Sequence, residues 1–333
     1  MSPVESITKN RQSLDTLRAM VARAYGADAV PAGDSWVDEL GNGFFNVVYR
    51  LTLADGRQVA LKIAPPSDVE VLTYEVGAMR TELEALRLIT AHTGVPVPAV
   101  DFADLGHDLV DVDYFFMPYV DADNLGVIRD ELGPSDLGRY KAALGAANRE
   151  LNTILGPAYG PVTAPAYSTW RSAFTALFDG VLDDGRRRSV ELGWSYDEVR
   201  AVLTAHEHLL DDVTEPRYVE WDLWEGNALV TDGEVVCLVD HERALFGDPL
   251  IEVGFAGLLS PSFGDSTAFL RGYGRGPLTE SEEVRRRLYT LHVGLVMTIE
   301  TVYRGHTDQE QYDWARECVD EVMTSLTRGR PTA

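Results

Sequence analysis

Two alternating apolar runs, Phe44-Phe45-Asn46-Val47-Val48-Tyr49-Arg50-Leu51-Thr52-Leu53 and Arg57-Gln58-Val59-Ala60-Leu61-Lys62-Ile63-Ala64, are separated only by Ala54-Asp55-Gly56. Alternation with period two is the signature of strands, and Asp-Gly supplies the positive φ of a tight turn, so the runs are expected to pair as an antiparallel hairpin. Ahead of them, Leu14, Leu17, Met20, Val21 and Tyr25 recur at helical spacing over residues 11–25, and Gly26 ends the helix. After them the spacing predicts a helix over Tyr74–His92, a Val-Pro-Val-Pro turn, and strands around 99–103 and 109–117. From about Asp130 helices dominate, over 135–155, 167–183, 196–211, 264–273, 279–304 and 308–327. One short hairpin at 228–240 interrupts them. The pattern predicts an α+β, bilobed chain: a small antiparallel-sheet lobe over 1–117, a hinge at 118–123 and a mainly helical lobe over 124–333.

Charge narrows the partners. The chain has 29 Lys+Arg against 53 Asp+Glu, a formal net charge of −24. Such a surface repels phosphate backbones and anionic lipid, which argues against nucleic-acid and membrane-surface binding and favours cationic partners. Cys237 and Cys318 show no metal-ligand spacing, no apolar run reaches the roughly 18 residues of a membrane helix, and the first residues carry no apolar signal core. These features predict a cytoplasmic location. The lysines are Lys9, Lys62 and Lys141, against many arginines. Retaining a lysine inside the apolar strand at Lys62 points to a need for a compact ammonium.

Four segments carry candidate chemistry. Gly41-Asn42-Gly43, followed by Asn46, lets backbone pass close to a ligand at the first strand. Lys62 stands in Val-Ala-Leu-Lys, which resembles the Val-Ala-Ile-Lys strand of protein kinases. Glu82 borders the apolar stripe Val76, Met79, Leu83, Leu86 and Ile89, where a carboxylate is costly unless paired; Lys62 is the expected partner, and Glu84 the competing choice for it. Finally, Asp222 and Asn227 have D-x-x-x-x-N spacing. The turn at Thr231-Asp232-Gly233-Glu234 folds the chain back, so Asn227 and Asp240 are expected at the same edge of one hairpin. An amide oxygen and a carboxylate held there suit Mg²⁺.

Together these residues resemble the aminoglycoside phosphotransferase / choline kinase-like family of small-molecule kinases, which has a protein-kinase-like fold. The family's His-Gly-Asp-Leu-His-x-Gly-Asn-x-Leu loop corresponds to Glu220-Trp221-Asp222-Leu223-Trp224-Glu225-Gly226-Asn227-Ala228-Leu229. Its Ile-Asp-Trp-Glu-x-Ala-x-x-Gly-Asp-Pro motif corresponds to Val239-Asp240-His241-Glu242-Arg243-Ala244-Leu245-Phe246-Gly247-Asp248-Pro249. The resemblance runs from the first hairpin to about residue 255. Glu220 replaces the usual histidine, Trp221 the frequent glycine, and His241 the common aromatic.

The resemblance implies a nucleotide-binding lobe over 1–117 and an acceptor-binding lobe over 124–333. It implies ATP, with GTP as the alternative, and Mg²⁺. Gly41, Asn42, Gly43 and Asn46 would approach the nucleotide; Lys62 would meet its α/β phosphates, oriented by Glu82; Met117, Tyr119 and Val120 would receive adenine. Asp222 would be the catalytic carboxylate, Asn227 and Asp240 would hold metal, and Asp248 would be structural. Glu225, Glu242, Glu252, Glu300 and Tyr303 are the residues expected to line the site of a hydroxylated, cationic small molecule. Arg304, four residues beyond Glu300, is an alternative partner for that carboxylate. The Glu220 and His241 departures motivate a rival reading, a catalytically silent nucleotide-binding regulator; nucleotidyl transfer on the same scaffold is a third.

Overall fold

Residues 6–41, 43, 45–306 and 309–327 are described by the computed structural model. Ser13 caps helix α1 (Leu14–Tyr25) by accepting from the Thr16 amide, and Gly26, at φ +92°, ends it. Its buried face, Leu17, Met20 and Val21, packs on a five-stranded antiparallel sheet. The strands are β1 (Val37–Glu39), β2 (Val47–Thr52), β3 (Gln58–Ile63), β4 (Phe102–Asp104) and β5 (Tyr114–Pro118), in the order β1-β2-β3-β5-β4. β2 and β3 form the expected hairpin, in register from Val47↔Ile63 to Thr52↔Gln58. β4 and β5 begin a few residues later than the spacing predicted. Because β3 is the central strand, only its first residue is exposed, and Lys62 is 5% exposed on the face opposite Val59, Leu61 and Ile63.

The described chain groups into two units. The first comprises Met1–Val71, Pro98–Asp121 and Tyr303–His306; the second comprises Leu72–Val97, Ala122–Val302 and Thr307–Ala333. The second unit opens with α2 (Ala78–His92). It continues through β6 (Asp123–Asn124), α3 (Leu125–Ile128), α4 (Pro134–Leu151), β7 (Gly160–Pro161), α5 (Trp170–Arg187), α6 (Tyr196–His206) and β8 (Arg217–Val219). Then come β9 (Ala228–Thr231), β10 (Glu234–Leu238), β11 (Leu245–Gly247), α7 (Thr267–Tyr273), α8 (Glu280–Tyr303) and α9 (Gln309–Thr327). Two small sheets, β10-β9-β6 and β7-β11-β8, lie among these helices. The fully buried Asp184 of α5 accepts from Thr73 N at 2.7 Å and Thr73 Oγ1 at 2.6 Å, which anchors the segment leading into α2. No helix among the described residues is long and apolar enough to cross a membrane.

Candidate active site

The β9–β10 hairpin sets the geometry. Its turn residues Asp232 and Gly233 both have positive φ, +52° and +87°, the pairing that a tight two-residue turn between twisted strands requires. The register Leu238↔Ala228 and the Val239 N–H donated to Asn227 O at 3.0 Å bring Asn227 beside the segment that carries Asp240. Asn227 Nδ2 also donates to Asp222 O at 2.9 Å. The three residues therefore meet through one hairpin and the loop before it. Trp221 and Asp240 have φ of +67° and +70°. Non-glycine residues there carry local strain, which the surrounding contacts must hold in place.

Glu252 supplies one such contact. It is fully buried, and its carboxylate accepts from Leu223 N at 2.7 Å and Trp221 N at 3.2 Å, on either side of Asp222. Burial pushes its pKa up to about 8, with the charges of Glu220 and Asp222 adding to the shift and the Leu223 amide opposing it. This corrects the expectation that Glu252 lines an acceptor surface: its side chain faces the loop's own amides. Replacing Glu252 by alanine is expected to leave both amides without their acceptor and to cost about 2–6 kcal/mol, at ~1–3 kcal/mol for each unsatisfied group. Urea unfolding measures this, and a change below about 1 kcal/mol would remove the clamp from the account.

Asp222 is largely enclosed by protein. Burial raises its pKa, Arg243 opposes the rise, and Asp240 and Glu220 add to it, while Asn227 stabilises the charged form. Arg243 Nη1 lies 3.6 Å from Asp222 Oδ2, and Nη2 lies 3.4 Å from Glu300 Oε2. Its guanidinium also sits over the rings of Tyr74 and Trp221, at 5.4 and 5.9 Å. Trp221 stacks on His292 of α8 at 5.1 Å. The loop thus rests on an aromatic floor and faces a guanidinium.

Carboxylate oxygens of Glu82, Asp240 and Glu242 lie within 4.8 Å of one another. Glu82 is 2% exposed, whereas Glu84 pairs with Arg87 on the helix surface. With Asn227 beside Asp240, these residues offer hard oxygen donors, and the set fits Mg²⁺. Asp248 binds elsewhere: it accepts from Tyr289 Oη at 2.7 Å, Arg285 Nε at 2.9 Å and Leu250 N at 3.1 Å, which ties the turn after β11 to α8.

The remaining candidates are dispersed. Glu225 pairs with Lys141 Nζ at 2.9 Å. Tyr303 is 1% exposed, so the expectation that it lines an acceptor surface gives way to a core position. In the first unit, Lys62 pairs with Val48 and Phe115 across the sheet, and Met117 pairs with Ala60. Tyr119 donates its amide to Gln58 O at 3.2 Å, and Val120 follows beyond the end of β5. Gly41 and Gly43 lie in the turn before β2, and Asn46 is buried at its start. Asn42 lies outside the described residues. Lys62 belongs to the first unit and Glu82 to the second.

The family model described as the phosphotransferase enzyme family (APH) matches residues 36–289. The chain belongs to this family. As a phosphotransferase family member it is 27% identical over 191 residues to hygromycin-B 4-O-kinase of Escherichia coli, a match covering 55% of this chain and 52% of that protein. The chain thus spans about half the length of that curated relative. Among solved structures it is similar to a thermostable variant of aminoglycoside phosphotransferase APH(4)-Ia in ternary complex with AMP-PNP and hygromycin B. That likeness has a TM-score of 0.68 at 18% identity and covers 95% of this chain and 100% of the other. A Thermobifida fusca structure assigned as a fructosamine-3-kinase aligns with a TM-score of 0.65 at 23% identity, over 95% and 100% of the two chains. These likenesses establish the α+β fold. The family match reaches into α8, beyond the stretch whose motifs carried the resemblance.

Sequence reasoning missed the clamp by Glu252, the guanidinium on Asp222 and the contact between Glu220 and His241. Each joins residues far apart in the chain or across a turn. The available signals were Glu252 within the apolar run Leu250–Phe255 and two polar residues standing where the family motifs carry others.

Proposed function

We propose that the chain transfers the γ-phosphoryl group of ATP to a hydroxyl of a small molecule. A bond forms between the acceptor oxygen and the γ-phosphorus, the bond to the β–γ bridging oxygen breaks, and the acceptor proton passes to Asp222. The observation that carries the reading is the convergence of Asp222, Asn227 and Asp240 through one rigid hairpin. Asp222 orients the hydroxyl and takes its proton, and its raised pKa improves it as a base. Asn227 and Asp240 would hold Mg²⁺, which when bound neutralises phosphate charge. Lys62 supplies further positive charge to the nucleotide.

The acceptor is proposed to be aminated, as an amino sugar or aminoglycoside-type compound is. A net charge of −24 draws cations toward the protein and speeds their encounter. Glu225 and Glu300 already hold Lys141 and Arg243, so an incoming ammonium at either carboxylate exchanges with a side-chain cation. A screen of hydroxylated compounds for ADP release, with mass spectrometry of the products, tests the reaction. ADP with a phosphorylated product supports it; AMP and pyrophosphate, or nucleotide binding with no turnover of any acceptor, would replace it with nucleotidyl transfer or a silent regulator. Aminated acceptors should show higher kcat/KM than neutral analogues, with the advantage shrinking as salt rises. A preference for the neutral analogue removes the amine assignment.

Lys62→Arg is expected to lower kcat/KM by roughly tenfold or more, because a buried strand position shaped around an ammonium does not accept a guanidinium fork. Steady-state kinetics at saturating acceptor check this; unchanged kcat/KM for ATP would return Lys62 to a packing role.

A further inference from the structure

Glu220 lies two residues before Asp222, and His241 follows Asp240 directly. The imidazole Nδ1 is 2.9 Å from Glu220 Oε1, and Nε2 is 3.1 Å from Leu238 O. Glu220 Oε1 also accepts from Tyr218 Oη at 2.9 Å. Both side chains are buried, at 4% and 1% exposure. Both ring nitrogens face oxygen acceptors, so the contacts are all favourable when each nitrogen carries hydrogen.

We propose that Glu220 and His241 are positioning residues: an interlock that sets the offset between the loop carrying Asp222 and the segment carrying Asp240. Apolar side chains would fill the same volume without fixing that offset, because packing has no direction and a buried hydrogen bond does. The residues beside the two partners, Trp221 and Asp240, are both held at positive φ. The interlock joins the two strained peptides at the point where a slip would move both carboxylates. Leu238 O fixes the other edge of the ring, so the imidazole is held by both nitrogens. Glu220 and His241 stand where the family motifs described above carry histidine and an aromatic residue. Their chemistry is complementary, so the two departures act as one change.

Its activity arm rests on the phosphotransfer reading, and the experiment separates the two. The probe is Mg²⁺·ATP with water as acceptor, alongside any acceptor found in the screen. Glu220→Gln and His241→Gln are expected to lower kcat roughly 10–10²-fold with KM for ATP within about threefold, the scale of a small misplacement of reacting groups. The exchanged pair, Glu220→His with His241→Glu, is expected to recover at least tenfold over the single variants. Full kcat in both single variants, or folded single variants that the exchange fails to improve, would overturn the interlock. Nitrogen-15 NMR of the histidine-labelled native protein gives a readout independent of turnover. A His241 Nδ1 proton far downfield and lost in Glu220→Gln supports the contact; its absence from the native protein overturns it. If the native protein shows the NMR signature but no acceptor in the screen yields ADP and a phosphorylated product, the phosphotransfer reading fails and the interlock stands.

Discussion

Asp222→Asn is expected to keep nucleotide affinity within a few-fold while lowering kcat by roughly 10²–10⁴, the range for a positioned general base. The substitution keeps shape and removes the charge that meets Arg243 and would receive the proton. The local fold should survive, because Glu252 holds the loop through the backbone amides of residues 221 and 223 rather than through the Asp222 side chain. The native enzyme should also have a pH signature. Asp222 must be ionised to accept a proton, and burial raises its pKa, so kcat should fall on acidification at a higher pH than an ordinary aspartate would give. Near-native turnover in the variant, with unfolding behaviour unchanged, would move the role of base to another group.

The second large effect is expected at Asp240. Asparagine is the informative replacement, because φ of +70° is tolerated by asparagine far better than by alanine. Asp240→Asn should reduce Mg²⁺-dependent turnover at least 10²-fold, consistent with loss of a charged oxygen ligand and of preorganised charge stabilisation. Calorimetric titration should show a large loss in affinity for Mg·ATP and little change for metal-free nucleotide. Equal losses in both titrations would mark Asp240 as a residue that shapes the loop.

Much of this arrangement was legible because the signals were local. Asp55-Gly56 and Asp232-Gly233 each specify a reversal within a few residues, and the alternation around each fixes which strands pair. The closeness of Asn227 to Asp240 therefore follows from a turn and a register. The burial of Lys62 on a central strand did not follow from alternation alone, because the strand's other neighbour, β5, comes from residues 114–118. The role of Glu252 was hidden for a similar reason. Its partners lie about thirty positions earlier, and nothing in the apolar run around it records that their amides need an acceptor. The exposed-or-paired question for Glu225 turns on Lys141, in a helix well upstream. Charge composition alone counted these carboxylates as open to a ligand, whereas tertiary pairing assigns some of them to the protein's own cations.

The first unit is not contiguous in the chain. Its early residues close on its last segment: Ile7 donates its amide to Arg304 O at 3.2 Å, Ser6 Oγ donates to the same carbonyl at 3.3 Å, and the Arg304 guanidinium lies 4.6 Å from the centre of the Phe45 ring. On a ribosome, the five strands of the sheet are complete once Pro118 has emerged, but the carbonyl that accepts from Ile7 follows after on the order of ten seconds or more of further synthesis. The opening segment must wait for that carbonyl, so the nascent sheet passes through a stage with one edge of its unit unfinished.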